Sequence, residues 1–219
     1  MTRHALARRF ASALLSEEGE PATLDGLAGA AGVSVPTVRH YFKDKDGAFR
    51  AALRAVREDG AARLQAMGEP GDRSAAECVF GLALAVPLVW RRFGLGRLMA
   101  SGLALGIGNA TRGPAFLEEL LEPFLQAAEM LFRELARTRR LKPLDPRGTA
   151  LALLAPILFA LIHQDYLGGH QQRPLEMTRF ARAHAARILR SLGVSDAKRA
   201  KRPRHPRTPG RSRHSPSAR

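Results

Sequence analysis

A cluster of polar side chains lies between Ser34 and Lys45, in a stretch short enough to be one helix and its flanks. It contains hydroxyl groups, a guanidinium, an imidazole and a phenol, and two lysines follow. Such groups form hydrogen bonds with phosphate oxygens and with the exposed edges of bases. With the threonine that begins the preceding helix, we assign to this candidate surface Thr23, Ser34, Val35, Thr37, Arg39, His40, Tyr41 and Lys45.

Two short helices joined by a glycine turn are predicted to position these side chains. Thr23 is a good N-cap for the first helix, and Gly32 supplies the positive-φ residue that ends it. Ser34 is a good N-cap for the second helix, in which Val38 and Phe42 share the inward face. The lengths of the helices and the tight turn are typical of a helix-turn-helix.

The residue types indicate separate roles along this surface. The Arg39 guanidinium is able to read guanine through its O6 and N7 atoms, a contact worth roughly 1–3 kcal/mol of base discrimination. Thr23 and Thr37, with the N–H groups at the two helix starts, are better suited to phosphates. An ordinary pair of core helices would not need this outward polar set. We therefore predict that residues 23–45 contact duplex DNA.

The same residues resemble the signature of a known family. The pattern Thr23-Leu24-x-x-Leu27-Ala28-x-x-Ala31-Gly32-Val33-Ser34-x-x-Thr37-Val38-x-x-Tyr41-Phe42-x-x-Lys45 is similar to that of the tetracycline-repressor (TetR) family of regulators. The resemblance implies that the helix after Ser34 enters the major groove and that Lys45 meets a phosphate. Family members often have Tyr at the position of Arg39 and His at that of Tyr41. The resemblance therefore predicts the docking mode and leaves the recognised DNA sequence open.

Composition predicts an all-α fold and a cytoplasmic protein. The chain has 219 residues, of which 45% are hydrophobic and only 6% aromatic, and no stretch alternates like a strand. The single cysteine cannot form an intramolecular disulfide, and no signal-peptide pattern follows Met1. The longest apolar run, 149–162, is shorter than the roughly 20 residues that span a bilayer, so we expect no membrane partner.

The net charge of +15 is concentrated at the C-terminal end, where nine basic residues and one acid lie from Asp196 onward. That segment, rich in Arg, Pro, Ser and His, is predicted to be disordered and is a candidate nonspecific DNA tether. We predict a helix-turn-helix DNA-binding domain with a connecting helix at 1–67, a helical domain at 74–193, and the disordered basic tail at 196–219.

Periodicity and capping residues place the remaining helices. A capping box at Ser74 begins a helix that Pro87 is expected to kink or break. Further helices are predicted at 95–107, at 114–139 with a bend near Pro123, at 146–167 and at 175–192. Their large apolar residues either wall a pocket of a few hundred Å³ or fill a core.

The resemblance implies that the second domain binds an effector and pairs with a twofold mate through its last two predicted helices. We assign a largely apolar ligand site to Trp90, Phe93, Phe124, Gln126 and His163. No catalytic set, cofactor motif or metal-ligand spacing is recognisable, so we do not expect an enzyme. The predicted function is a homodimeric, ligand-responsive repressor that leaves its operator when a small molecule binds. The alternative is a basic architectural protein that coats DNA without strong sequence preference.

Overall fold

The computed structural model describes residues 2–15, 23–138, 140–142 and 144–194, and the predicted tail at 196–219 lies outside these residues. The first four helices are α1 (Arg3–Leu15), α2 (Leu24–Ala31), α3 (Val35–Phe42) and α4 (Lys45–Gly68). Gly32 ends α2 in the left-handed region, with φ of 64°. The helix-turn-helix is therefore confirmed as a local fold.

The remaining helices follow in the predicted order. They are α5 (Ala75–Arg92), α6 (Leu95–Gly106), α7 (Arg112–Phe116), α8 (Glu122–Arg137), α9 (Pro146–Asp165), α10 (Gly169–Gln172) and α11 (Met177–Ser191). The described residues contain helices, turns and loops and no strand, so the all-α fold is confirmed. The short helix α10 was not predicted, because four residues are too few to show a periodic pattern.

Two hydrophobic cores organise these helices. The N-terminal core is built on Leu6, Phe10 and Leu53, and the C-terminal core on the facing sides of α5, α8, α9 and α11. Leu98 of α6 and Phe116 of α7 are buried in the N-terminal core. Helices from both sides of residues 67–74 thus contribute to the N-terminal core, and the predicted division into two domains at that point remains a prediction.

Of the two outcomes expected at Pro87, the break is wrong, because α5 runs unbroken from Ala75 to Arg92 with Pro87 buried inside it, and the kink stays a prediction. Ser74 begins α5 with the predicted capping box: its hydroxyl accepts from the Glu77 N–H, and the Glu77 carboxylate accepts from the Ser74 N–H at 2.8 Å. Proline removes one helix hydrogen bond, and burial of the surrounding side chains offsets that loss.

The bend expected near Pro123 takes a different form. Leu117–Leu121 forms a π-helical turn between α7 and α8, and Pro123 stands in the first turn of α8, where proline is tolerated. A single π-turn adds a residue to the helix and changes the direction of the side chains that follow. Glu119 of this turn is buried, and Arg54 and Arg57 of α4 pair with it.

Helix α9 is longer than the apolar run that predicts it. With 20 residues, it is long and apolar enough to cross a membrane by length and composition, so the argument from run length was wrong. Core helices of globular proteins have the same character. In this fold α9 packs against α8, α11 and α5, and Leu153, Leu154, Ile157 and Leu161 are fully buried.

Candidate nucleic-acid interface

Side-chain hydroxyls cap the helices of the helix-turn-helix. The Thr23 hydroxyl accepts from the Gly26 N–H at 3.1 Å, and the Ser34 hydroxyl accepts from the Thr37 N–H at 3.4 Å. The Ser34 and Thr37 hydroxyls also lie 2.9 Å apart. These three side chains therefore stabilise the helix starts, and their exposed or half-exposed positions leave them accessible to a phosphate.

Helix α3 separates its two faces clearly. Val38 and Phe42 are buried in the N-terminal core, as predicted, and the Phe42 ring meets the Phe10 ring edge-on at 5.3 Å between centroids. Arg39 and His40 are exposed. The helix therefore lies on its apolar side and presents a cationic guanidinium and an imidazole to solvent.

Two residues expected to face outward are only partly exposed. Val35 and Tyr41 are half-buried and pack against the N-terminal core. The Tyr41 ring meets the His40 ring at 4.9 Å and lines a groove of about 450 Å³ between α1 and α4. An eight-residue helix seated on a core buries the flanks of its apolar stripe, which explains both positions.

Basic residues that the sequence analysis did not assign to the interface line the groove beside α3. Arg3 lies over the Phe42 ring at 5.5 Å, and Lys43, Arg50 and Arg54 line the same groove. The four-residue spacing of Arg50 and Arg54 was a visible signal that both lie on one face of a helix. Arg3 offered no signal, because only tertiary packing brings α1 beside α3.

The turn between α3 and α4 is strained and tightly packed. Lys43 adopts φ of 68° and ψ of −57°, an uncommon conformation for a residue with a side chain, and the Asp44 N–H donates to the Phe42 carbonyl at 2.8 Å. A Cβ on Gly47 would lie 2.1 Å from that carbonyl oxygen. Glycine at 47 is thus required for this turn. Lys45 is half-buried in the first turn of α4.

Ion pairs connect α4 to α7 and the π-helical turn. Asp46, the residue after Lys45, accepts a hydrogen bond at Oδ1 from Arg112 Nε at 2.6 Å. Arg54 and Arg57 both contact the buried Glu119, at 2.7 and 3.2 Å. The hydrogen bond and the charge of Glu119 raise the pKa of Arg54. The Asp46 pair holds the start of α4, and the two Glu119 pairs hold its middle, relative to the C-terminal part of the chain.

Neither the groove beside α3 nor a second, open cleft brings together the five residues assigned to a ligand site, and that assignment stays a prediction. Trp90 lines this cleft, of about 430 Å³, but Phe93, Phe124, Gln126 and His163 do not line it. Phe93 is exposed under the Arg63 guanidinium, Phe124 packs on the C-terminal core, and Gln126 is exposed. The residues lining the cleft are Leu15, Trp90, Arg91, Gly94, Arg97, Asp165 and Tyr166.

The histidines near the end of α9 have partners other than a metal. His163 Nδ1 lies 3.0 Å from Gln164 Nε2, and His170 Nδ1 lies 2.7 Å from the Gln164 carbonyl oxygen. Asp165 accepts from Trp90 Nε1 at 3.0 Å. Within the described part of the chain, no group of three His, Cys, Asp or Glu side chains is arranged to hold a metal ion.

No protein-family model matches the sequence, and no curated protein is significantly similar to it. Solved structures are similar in fold. One is described as a TetR-family transcriptional regulator from Mesorhizobium loti, at 19% identity and a TM-score of 0.71, covering 86% of this chain and 95% of that one.

Two further structures are similar over nearly their whole length. SmeT, the repressor of the Stenotrophomonas maltophilia multidrug efflux pump SmeDEF, has 17% identity and a TM-score of 0.60, over 87% of this chain and 90% of that one. FadR from Bacillus subtilis in complex with stearoyl-CoA has 14% identity and a TM-score of 0.64, over 89% and 100%. The chain thus has the fold of the TetR-family transcriptional regulators, as the motif around α2 and α3 predicted.

Proposed function

We propose that this protein is a transcriptional regulator that inserts α3 into the major groove of an operator. The observation that carries the proposal is the division of α3, with Val38 and Phe42 buried and Arg39 and His40 exposed. Arg39 reads a base edge, and Lys45 with the helix starts at Thr23 and Ser34 meets phosphates. The similarity of the whole fold to solved regulators supports this assignment.

The proposed active form is a homodimer. Leu151 and Phe159 on α9 are 40% and 65% exposed, and Phe180 and Ile188 on α11 are only half-buried. Together these side chains form an apolar face that a second copy would cover. A twofold dimer would place two α3 helices about 34–36 Å apart, which is one turn of DNA.

The proposed regulation is release from the operator when an effector binds. FadR, which shares this fold, was solved with stearoyl-CoA, and SmeT is described as a repressor. A ligand lowers DNA affinity if it binds more tightly to an arrangement in which the two α3 helices no longer match both half-sites. The ion pairs between α4 and Glu119 provide a physical connection for that change.

Selection of bound DNA from a random library, followed by gel shifts, tests the proposal. A regulator selects one sequence, and its complex survives about a thousandfold excess of unrelated competitor DNA. Failure to enrich any sequence, with binding that competitor removes, would instead support a basic architectural protein and would contradict the proposed function.

A further inference from the structure

Lys43 has an unusual backbone conformation for a residue with a side chain. Among the described residues, positive φ occurs at six glycines and at Lys43, whose φ is 68°. The Asp44 N–H donates to the Phe42 carbonyl at 2.8 Å, so residues 42–44 form a γ-turn of the rare and strained kind. Glycine would adopt this conformation without strain. The chain therefore carries a side chain at a position where that side chain lowers stability.

The Lys43 ammonium is open to solvent at the end of α3. The Lys43 N–H donates to the Arg39 carbonyl at 2.9 Å, so Lys43 lies one helical turn beyond Arg39. Lys43 is exposed, and its ammonium forms no hydrogen bond or ion pair with another described residue. The two carboxylates that follow it in sequence are engaged elsewhere, because Asp44 caps α4 and Asp46 accepts from Arg112. The positive charge of Lys43 is thus available to a partner outside the chain.

Arg3 provides a second cation beside the same turn. Its guanidinium lies over the Phe42 ring at 5.5 Å, and Arg3 and Lys43 both line the groove beside α3. A guanidinium stacked on an aromatic ring uses its flat face, and its N–H groups at the edge remain able to bind a phosphate. Arg3 is exposed, so a phosphate has access to that edge.

The other charged residues that line the groove are neutralised within the fold. Each has an ionic partner among the described residues, and the pairs are Arg50–Glu118, Arg54–Glu119 and His4–Glu58. These pairs connect α4 to the π-helical turn and to α1. The charge that the groove offers to an outside anion therefore comes from Arg3 and Lys43.

We propose that Lys43 and Arg3 bind the phosphate backbone that borders the bases read by α3. This inference rests on the proposed function and extends its interface from α3 to the start of α1. Neither residue belongs to α3, so both meet the strand at the edge of the major groove, where phosphates and sugars are presented. The γ-turn fixes the backbone of Lys43 before DNA arrives, which lowers the entropic cost of the contact.

The dependence of DNA affinity on salt measures such contacts. Each phosphate neutralised contributes about 0.9 to the slope of log affinity against log salt concentration. Lys43→Gln and Arg3→Gln should each reduce that slope by about 0.9 for every chain bound and leave the preference among operator sequences unchanged. Lys43→Arg should retain the wild-type slope, because it keeps the charge. An unchanged slope in either Gln variant would overturn the assignment of that residue.

Two variants that remove the same charge elsewhere are the controls, and thermal unfolding verifies that all variants fold. Lys142 is exposed and follows α8. The Arg182 guanidinium of α11 lies over the Phe80 ring at 5.9 Å, in the way that Arg3 lies over Phe42. Lys142→Gln and Arg182→Gln should leave the slope unchanged. A reduction equal to that of the groove variants would show that only net charge matters and would overturn the proposal.

Lys43→Gly distinguishes DNA contact from a role in folding. Glycine relieves the strained φ, so the urea concentration at the unfolding midpoint should rise above that of the wild type. DNA affinity should nevertheless fall about eightfold for every chain bound at 0.1 M salt, as in Lys43→Gln. A variant that gains stability and keeps wild-type affinity would contradict the phosphate contact, and a lower midpoint would contradict the strain at this turn.

A duplex of mixed sequence separates this inference from the proposed function. Phosphates are the same in every sequence, so the Lys43 and Arg3 variants should reduce the salt slope on mixed-sequence DNA as well. If the wild-type chain selects an operator but both Gln variants keep the wild-type slope, this inference alone fails. If the chain selects no operator but both variants reduce the slope on mixed-sequence DNA, the proposed function fails and the phosphate assignment stands.

Discussion

Helices α3 and α9 both present side chains outside the cores on which they pack, but the chemistry of the two outward faces is opposite. The exposed residues of α3 include Arg39 and His40, whereas α9 exposes Leu151 and Phe159. Hydrated polar groups cost little free energy at a surface. Each large apolar side chain left in water forgoes roughly 1.5–3 kcal/mol of burial. The α3 face therefore suits a polar partner that is bound and released, and the α9 face suits lasting contact with another apolar surface.

The largest effect is expected from a charge on the α9 face. Phe159→Asp should convert a dimer into a monomer and weaken operator binding about a hundredfold, because burying an unpaired carboxylate costs several kcal/mol. Sedimentation measures the mass, and gel shifts measure the affinity. Ile107→Asp is the control, since Ile107 is 78% exposed and follows α6, so it belongs to neither α9 nor α11. A dimer that survives Phe159→Asp would contradict the assignment of the α9 face to the dimer contact.

The turn that presents α3 gives the next largest effect. Gly47→Ala should lower the free energy of unfolding by about 1–3 kcal/mol, because the new Cβ collides with the Phe42 carbonyl and the strained turn must shift. DNA affinity should fall with it. Gly60→Ala on the same helix is the matched control, since nothing lies within 4 Å of its Cβ and alanine favours a helix by up to about 1 kcal/mol. Urea unfolding distinguishes the two variants.

Substitutions on the exposed face of α3 should affect DNA binding without affecting folding. Arg39→Ala should remove about 1–3 kcal/mol of discrimination at one base position. Lys45→Ala should weaken binding to all sequences alike and reduce the dependence of affinity on salt. Affinities measured on a panel of single-base operator variants separate these results. An Arg39→Ala protein that binds the whole panel like the wild type would show that this face does not read DNA.

Removal of helix caps distinguishes the effect of α3 presentation on DNA binding from the effect of global stability. Ser34→Ala and Ser74→Ala should each cost about 1 kcal/mol of stability, because each hydroxyl accepts from a backbone N–H at a helix start. Only Ser34→Ala should also weaken DNA binding. Equal loss of DNA affinity in both variants would mean that global stability, and not the presentation of α3, governs binding.

The smallest effect concerns a surface ion pair far from α3. The Arg147 guanidinium bonds both Glu122 carboxylate oxygens, at 3.0 and 2.6 Å, and holds the pKa of Glu122 below its usual value. Because the pKa of Glu122 is lowered in the folded state, the ion pair stabilises the fold fully above the ordinary glutamate pKa of about 4.3. The stabilisation is lost as the pH falls through the folded pKa of Glu122. Glu122→Gln should therefore cost less than about 1 kcal/mol at neutral pH. The difference in free energy of unfolding between Glu122→Gln and the wild type should vanish when unfolding is measured at a pH below the folded pKa of Glu122.

The local features of this protein follow directly from its amino-acid sequence. Thr23, Ser34 and Ser74 begin helices because each hydroxyl accepts from an N–H three residues later, so the relevant atoms are close in any conformation of the chain that starts a helix. The buried pair Val38 and Phe42 follows from helical periodicity in the same way.

Contacts between residues far apart in sequence depend on how the helices pack in three dimensions. The Trp90 indole pairs with Asp165 across 75 positions of sequence, and Arg54 pairs with Glu119 across 65. Pro87 stays inside a continuous helix because the burial of Pro87 and of nearby side chains such as Val86 and Trp90 outweighs one lost hydrogen bond. Such outcomes depend on the packing of whole helices, which sums many weak contacts and leaves no short-range pattern in the sequence.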